Sequence, residues 1–266
     1  MPLAVCATPI GNLEDITLRV LAELRDADVI LAEDTRHTRG LLERHGIATR
    51  LLSYHEHNEA ARVAELLPRL EAGERVALVS DAGMPGVSDP GARIVRAALD
   101  AGVPVTVLPG PSAVETALVA SGHGGGSFAF VGFLPRKAGE REALWQELAA
   151  WPWPVVAFES PQRLAASLRS LAQTDAEREV AVCRELTKRF EEVARGTAAE
   201  LAERLVEPPK GEVTLVVGAG ATESDPESAR RAVADLVAAG TPRGVAAEVV
   251  ARLTDTSRND LYRGSL

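Results

Sequence analysis

Arg75-Val76-Ala77-Leu78-Val79, then Ser80-Asp81-Ala82-Gly83-Met84-Pro85-Gly86-Val87-Ser88-Asp89-Pro90-Gly91, then the stretch Ala92–Asp100, decides how the first half of the chain folds. A short β-type run, a turn rich in glycine and proline, and an amphipathic stretch together make one β–α unit. The alternation extends in both directions. Upstream lie strand Leu3–Ala7, helix Leu18–Arg25, strand Val29–Ala32, helix Arg39–Arg44, strand Arg50–Tyr54 and helix Ala60–Glu71. Val63, Leu66, Leu67 and Leu70 share one face of that last helix. Downstream lie strand Val103–Leu108 and helix Ala113–Ala120. Parallel strands need crossover helices, so this run of β–α pairs predicts a parallel sheet covered on both faces.

Gly122-His123-Gly124-Gly125-Gly126-Ser127 is the most glycine-dense stretch and marks a boundary. Beyond it the pattern gives strand Phe128–Leu134, helix Arg141–Ala149, strand Val155–Glu159 and helix Arg163–Ala172. Glu179–Arg184 and Glu191–Gly196 then read as consecutive strands, followed by helix Ala198–Val206 and strand Val213–Gly218. Two adjacent strands predict a mixed sheet, unlike the first. After Gly220 the chain turns polar at Ser224-Asp225-Pro226. Helical patterns resume at Ala229–Ala239, Val245–Leu253 and Ser257–Tyr262, and the tail as a whole carries six arginines. The expected organisation is an α/β chain in two domains, 1–122 and 127–220, with a small helical appendage over 225–266.

The 266 residues suit about two domains. Cys6 and Cys183 each sit in an apolar run and read as reduced core thiols. The longest apolar runs fall far short of the ~20 residues that a spanning helix needs. Met1-Pro2-Leu3-Ala4-Val5 opens with no basic leader. The expected setting is the cytoplasm, with no membrane. A net charge of −9 counts against a protein that coats nucleic acid non-specifically, but a local basic patch on an acidic body remains open.

Ligands in parallel sheets bind at the carboxyl ends of strands, and four loops there stand out. Thr8-Pro9-Ile10-Gly11-Asn12 can turn tightly or approach a ligand. Ala32-Glu33-Asp34-Thr35-Arg36-His37-Thr38 crowds charge onto a strand end. Asp34 can cap the next helix, which leaves Glu33, Arg36 and His37 to explain. Ser80–Gly91 presents a rigid backbone stripped of bulky side chains, suited to offering N–H and C=O groups to a small ligand. It is neither a Walker loop nor a dinucleotide fingerprint. Leu108-Pro109-Gly110-Pro111-Ser112-Ala113 places Ser112 where a helix begins. In the second half, Phe158–Arg163 and Cys183–Arg189 again put charge at strand ends. Lys137, Lys188 and Lys210, the only lysines, all sit beside turns or strand ends. His55-Glu56-His57 lacks companion ligands, so no metal is expected. No Gly-x-Ser-x-Gly elbow supports a serine hydrolase.

Taken together, these segments resemble the 16S rRNA 2′-O-ribose methyltransferases within the tetrapyrrole-methylase superfamily. The matching runs are Ala7–Leu13, Ala32–Arg36, Ser53–Asn58, Ser80–Pro85, Ser88–Gly91, Pro109–Ala113, Gly132–Lys137, Phe158–Pro161, Cys183–Lys188 and Lys210–Glu212, in the family's order. Met84 stands where a threonine is usual. The resemblance implies a two-domain tetrapyrrole-methylase-like fold, usually as a homodimer, with S-adenosylmethionine in the cleft between the domains. The residues it assigns to the donor are Pro9, Asp81, Ala82, Gly83, Met84, Pro85, Val87, Ser112 and Ala113, completed by Phe158, Glu159 and Ser160. It also implies the 2′-O-methylation of a cytidine, 1402 in the standard 16S rRNA numbering, on the small ribosomal subunit.

Such a transfer needs the ribose oxygen, methyl carbon and sulfur in line, and it needs somewhere for a proton to go. Glu33, Asp34 or Glu159 is expected to handle the proton. Arg36, Arg184 and Lys188 are expected to hold phosphate and oxyanion, with Arg136, Lys137 and Lys210 also on the RNA side. Two rivals stay open. Arg36, Arg136 and Lys188 can equally bind porphyrin carboxylates in a tetrapyrrole C-methyltransferase, and a nucleotide-sensing module would bind ligand without transferring a methyl.

Overall fold

The computed structural model describes residues 2–220, 226–254 and 256–264. Ser224 and Asp225, at the expected start of the tail, and Leu266 at its end lie outside the described residues. The first sheet comprises β1 (Leu3–Cys6), β2 (Val29–Ala32), β3 (Leu51–Ser53), β4 (Val76–Leu78) and β5 (Val105–Leu108). Its order is β3-β2-β4-β1-β5, and every pairing is parallel. The crossovers are α1 (Leu18–Asp26), α2 (Thr35–Arg44), α3 (Glu59–Glu71) and α4 (Ala92–Asp100), and α5 (Ala113–Ser121) follows the last strand.

Strand periodicity sorts the side chains onto two faces. Ala4, Cys6, Ile30, Ala32, Ala77 and Val79 face the side packed with Val20, Leu24, Leu41 and Leu42 from α1 and α2. Leu3, Val5, Leu31, Val76 and Leu78 face Leu66 and Leu70 of α3 and Ile94 and Ala98 of α4. Both faces are apolar because both are covered, which is the burial a parallel sheet requires.

The second sheet comprises β6 (Ala129–Phe133), β7 (Val155–Glu159), β8 (Glu179–Arg184), β9 (Glu192–Thr197) and β10 (Val213–Val217), in the order β6-β7-β10-β8-β9. Only β6 and β7 run parallel; the remaining pairs are antiparallel, so the sheet is mixed as expected. One face, with Val155, Ala157, Val213, Leu215 and Val217, packs on α6 (Ala138–Leu148), α7 (Pro161–Thr174) and α8 (Ala198–Arg204). The capping box between Thr197 and Glu200 fixes the start of α8.

The other face of the second sheet belongs to α5. Val114, Ala117 and Leu118 pack against Val156, Ala181, Cys183 and Val216. A helix from the first half of the chain therefore fills the core of the second, which explains why α5 is apolar almost all round. Arg195 of β9 donates to the carbonyls of Ser121 and Ala120, closing the negative end of α5 with a cation. α9 (Pro226–Ala238), α10 (Arg243–Thr254) and α11 (Arg258–Gly264) pack on one another around Val233, Ala246, Ala247, Val250 and Leu261. No helix among the described residues is long and apolar enough to cross a membrane.

Candidate active site

The loops after β1, β4 and β5 meet above adjacent strand ends, with β1 lying between the other two. Thr8 and Gly83 exchange backbone hydrogen bonds at 2.9 and 3.0 Å, an isolated bridge that ties the first loop to the third. The buried Thr8 hydroxyl donates to the Ser80 carbonyl at 3.0 Å, and the Ser80 hydroxyl donates to that of Ala82 at 3.2 Å. Gly91 closes the loop at φ 143°. Its N–H donates to Glu59 at 3.0 Å, and a Cβ there would meet Leu78 at 3.0 Å, so only glycine serves. Ser88 is held at φ 64°, a conformation that concentrates at functional loops.

Between these loops and the second sheet lies a cavity of about 650 Å³, within the range of small-molecule sites. Of the residues expected to hold a donor, Ala82, Gly83, Met84, Val87, Ser112, Ala113, Phe158, Glu159 and Ser160 line it. Pro9, Asp81 and Pro85 do not; Pro9 and Pro85 are buried behind it as loop supports. The hydroxyl of Ser112 bonds to Glu115 rather than capping α5. The first-turn N–H groups of α5 are thus left open at the cavity wall, a site for negative charge. Asp89, Glu115 and Glu212 also line the wall and suit positive charge. The cavity wall thus carries groups suited to charges of both signs.

The residues expected to handle protons separate. Asp34 caps α2, accepting from the Arg36 N–H at 2.8 Å, and pairs with the Arg36 side chain at 2.8 Å. Those hydrogen bonds hold the Asp34 carboxyl far below its usual range. The Arg36 side chain is 89% exposed, and neither residue reaches the cavity. Glu159 does reach it but is fully engaged: it accepts from the Ser160 N–H at 2.6 Å, pairs with Arg163 at 2.6 Å and binds the Ser167 hydroxyl. With its side chain fully buried, it serves as a structural anchor joining β7 to α7. Glu33 lies off the cavity, in a carboxylate group with Asp81 and Asp89. Burial, and then the charge of Asp81, raise Glu33 above its ordinary value. Burial first, and the charge of Glu33 second, push Asp89 up to about 6. Asp89 alone of the three lines the cavity.

The cations divide as well. Lys188 bridges Glu185 and Glu212 at 2.8 Å each, Arg184 pairs with Glu192 at 2.7 Å, and Lys137 pairs with Glu140 at 2.7 Å. Arg136 and Lys210 are exposed and form no ion pair among the described residues. The loop preceding Lys188 presses on the first half: a Cβ on Gly11 would stand 2.5 Å from the Lys188 Cγ and 2.9 Å from the Leu186 carbonyl.

Apart from Phe158, sequence reasoning did not single out the aromatic wall. Phe128, Phe130, Phe133 and Phe158 line the cavity, four of the five phenylalanines in the chain. Their concentration in 128–158 was the available signal. Asp89, Glu115 and Glu212 were likewise not assigned to the site.

Residues 2–202 match the family model of the Tetrapyrrole (Corrin/Porphyrin) Methylases. The chain is 46% identical over 265 residues to the protein named ribosomal RNA small subunit methyltransferase I of Mesorhizobium japonicum, covering 98% of this chain and 90% of the relative. Relatives of the same name in Synechocystis and in Streptococcus pyogenes are 44% and 42% identical. They cover 99% and 98% of this chain, and 97% and 93% of their own lengths. Among solved structures, the methyltransferase CobJ superposes with a TM-score of 0.63 at 20% identity, over 82% of this chain and 94% of its own. A uroporphyrin-III C-methyl transferase from Thermus thermophilus, complexed with S-adenyl homocysteine, superposes with a TM-score of 0.56 at 22% identity, over 80% and 96%. Sharing its fold with these solved methyltransferases and nearly its whole length with the ribosomal ones, the chain belongs to the tetrapyrrole methylase family, in the branch that bears the name ribosomal RNA small subunit methyltransferase I.

Proposed function

We propose that this enzyme transfers the methyl group of S-adenosylmethionine to the 2′-hydroxyl of a cytidine ribose in 16S rRNA, cytidine 1402 in the standard numbering, on the small ribosomal subunit in the cytoplasm. The observation that carries the reading is the two-sided cavity, found in a chain alike over nearly its whole length to relatives named for the small-subunit RNA. The wall fits the donor. The N-terminus of α5, which no side chain caps, suits a carboxylate, Asp89 and Glu115 suit ammonium and sulfonium, and Phe130 and Phe158 offer flat apolar surface beside Ile10.

The donor supplies a methyl already activated on a sulfonium. The protein's share is alignment, exclusion of water and a proton acceptor. Of the acidic groups near the cavity, Asp89 is the best placed acceptor. It lines the wall, and its acidity is set first by burial and then by the charge of Glu33. Glu33 thereby acts through Asp89. Arg136 and Lys210 remain free for RNA phosphates, while Lys137, Arg184 and Lys188 contribute to the surface as members of ion pairs. The domain division 1–122, 127–220 and 225–266 belongs to this reading, with α5, the last helix of the first unit, packing on the sheet of the second. A homodimer belongs to the reading.

The test is incubation of the purified protein with labelled S-adenosylmethionine and either small subunits from a strain lacking the modification or uroporphyrinogen. Label should enter the RNA and map to one ribose. Label entering the porphyrin would make this a tetrapyrrole C-methyltransferase, and binding without transfer would make it a sensing module.

A further inference from the structure

Strand β6 carries an irregularity with a chemical consequence. Phe130 pairs with Val156 and Phe133 with Phe158, so three steps along β6 match two along β7. The extra residue is a bulge, uncommon in a parallel pair, and bulges re-aim side chains. In a regular strand, side chains three apart point to opposite faces. Here Phe130 and Phe133 both turn to Phe158, at ring-centroid distances of 5.0 and 5.4 Å. Gly132, at φ 68°, supplies the backbone conformation that this requires.

The ring so aimed is not buried. Phe133 is 60% exposed and Phe128 is 37% exposed, both on the cavity wall and both on an edge strand or its approach. An oriented aromatic face left open to water at the lip of a site is a binding surface looking for a flat partner. Three residues further on stands Arg136, exposed and without an ion pair among the described residues. A bare aromatic face with an uncommitted guanidinium three residues along the chain matches a nucleotide, base on ring and phosphate on cation.

We propose that Phe133 is the stacking face for the base of the nucleotide whose ribose is methylated, with Arg136 holding an adjoining phosphate. This deepens the rRNA reading and rests on it. The bulge thus sets substrate position: it brings a ring from the helix-covered side of the sheet to the mouth of the donor cavity.

The experiment compares Phe133→Ala, Phe133→Leu and Phe133→Trp in the full chain. Phe133→Ala and Phe133→Leu should lower kcat/KM for small subunits by about 10- to 100-fold, chiefly through KM. Phe133→Trp should keep most of the wild-type value, and S-adenosylmethionine affinity measured by calorimetry should stay within about twofold in all three. A second arm adds a cytidine-containing oligoribonucleotide to the Phe133→Trp variant with S-adenosylhomocysteine present. The fluorescence of the new indole, taken as the difference from wild type, should be quenched, and Arg136→Ala in that background should weaken the quenching. Full activity of Phe133→Leu, loss of donor affinity in step with activity, or no quenching would each overturn the stacking face. Failure of the wild type to methylate small subunits would instead defeat the rRNA reading, while the quenching arm would still decide whether Phe133 receives a base.

Discussion

The backbone N–H of Asn12 donates to the hydroxyl of Thr187 at 3.0 Å, joining the loop after β1 to the loop after β8 across the cavity's flank. Thr187 is held at φ 66° and Glu185 at φ 53°, so the second loop adopts a costly backbone to make this contact. Gly11 makes room for it.

Gly11→Ala should therefore pry the two loops apart. Its Cβ would stand 2.5 Å from the Lys188 Cγ, 2.8 Å from the Thr187 hydroxyl and 2.9 Å from a backbone carbonyl that cannot rotate away. Crowding of this kind costs about 1–3 kcal/mol. Urea unfolding should show that loss, and calorimetry should show donor affinity falling at least as far as global stability predicts.

In the proposed role of proton acceptor, Asp89 predicts the sign of a pH dependence. A proton acceptor must be ionised, so single-turnover methylation should rise with pH to a plateau, with a midpoint near the value of about 6 to which burial and Glu33 push this group. Asp89→Asn should lower the rate by about 100-fold and remove that rise. Glu33→Gln removes a like charge and should move the midpoint downward.

The same shift acts on stability in the opposite sense. The native value of Asp89 lies above the ordinary ~3.9 of an unfolded aspartate. Its contribution is fully present below that value and is lost as pH rises through about 6. Asp89→Asn should then unfold at higher urea than wild type at pH 8, by about 1 kcal/mol once solvent screening is allowed for, and should show no such gain at pH 4.

Glu159→Ala should act on folding. Its carboxylate is fully buried and holds Arg163, Ser167 and the Ser160 N–H. Removing it strands those donors, at a cost of about 3 kcal/mol. Chemical denaturation measures the loss. Glu159→Gln, which keeps the shape, should leave single-turnover methylation by the folded fraction within about threefold of wild type.

Cys6 and Cys183 are buried, and burial pushes their thiols up to about 12 and about 11. Thiolate is the reactive form. Neither should react with a thiol reagent at pH 8 in the native protein, and both should react in 8 M urea.

The order of strands and helices was legible because apolar runs and glycine-proline turns alternate so regularly. β2, α4, β7 and β8 fall on their expected bounds. Starts of polar helices were harder. α2 begins at Thr35, directly after its Asp34 cap, whereas apolar periodicity places the start at Arg39. The 3-10 turn Leu13–Asp15 has too few residues to show a period. At the site, the loops rich in glycine announced themselves through backbone chemistry. Charged residues did not declare their roles, because a carboxylate's partner decides what it does. Glu159 and Arg163 are neighbours in sequence, but Lys188 meets Glu212 only through tertiary folding. The phenylalanine wall depends on a register shift, and strict alternation would have assigned Phe130 and Phe133 to opposite sides.

Helix α5 leaves the first sheet and lends its apolar surface to the second. During synthesis this segment emerges before β7, β8 and β10, so Val114, Ala117 and Leu118 await strands still to be translated. The cavity is consequently completed late, and a nascent or truncated product ending near Gly122 would carry a sticky, unsheltered helix. Until the second sheet closes over α5, the hollow has only one of its two walls.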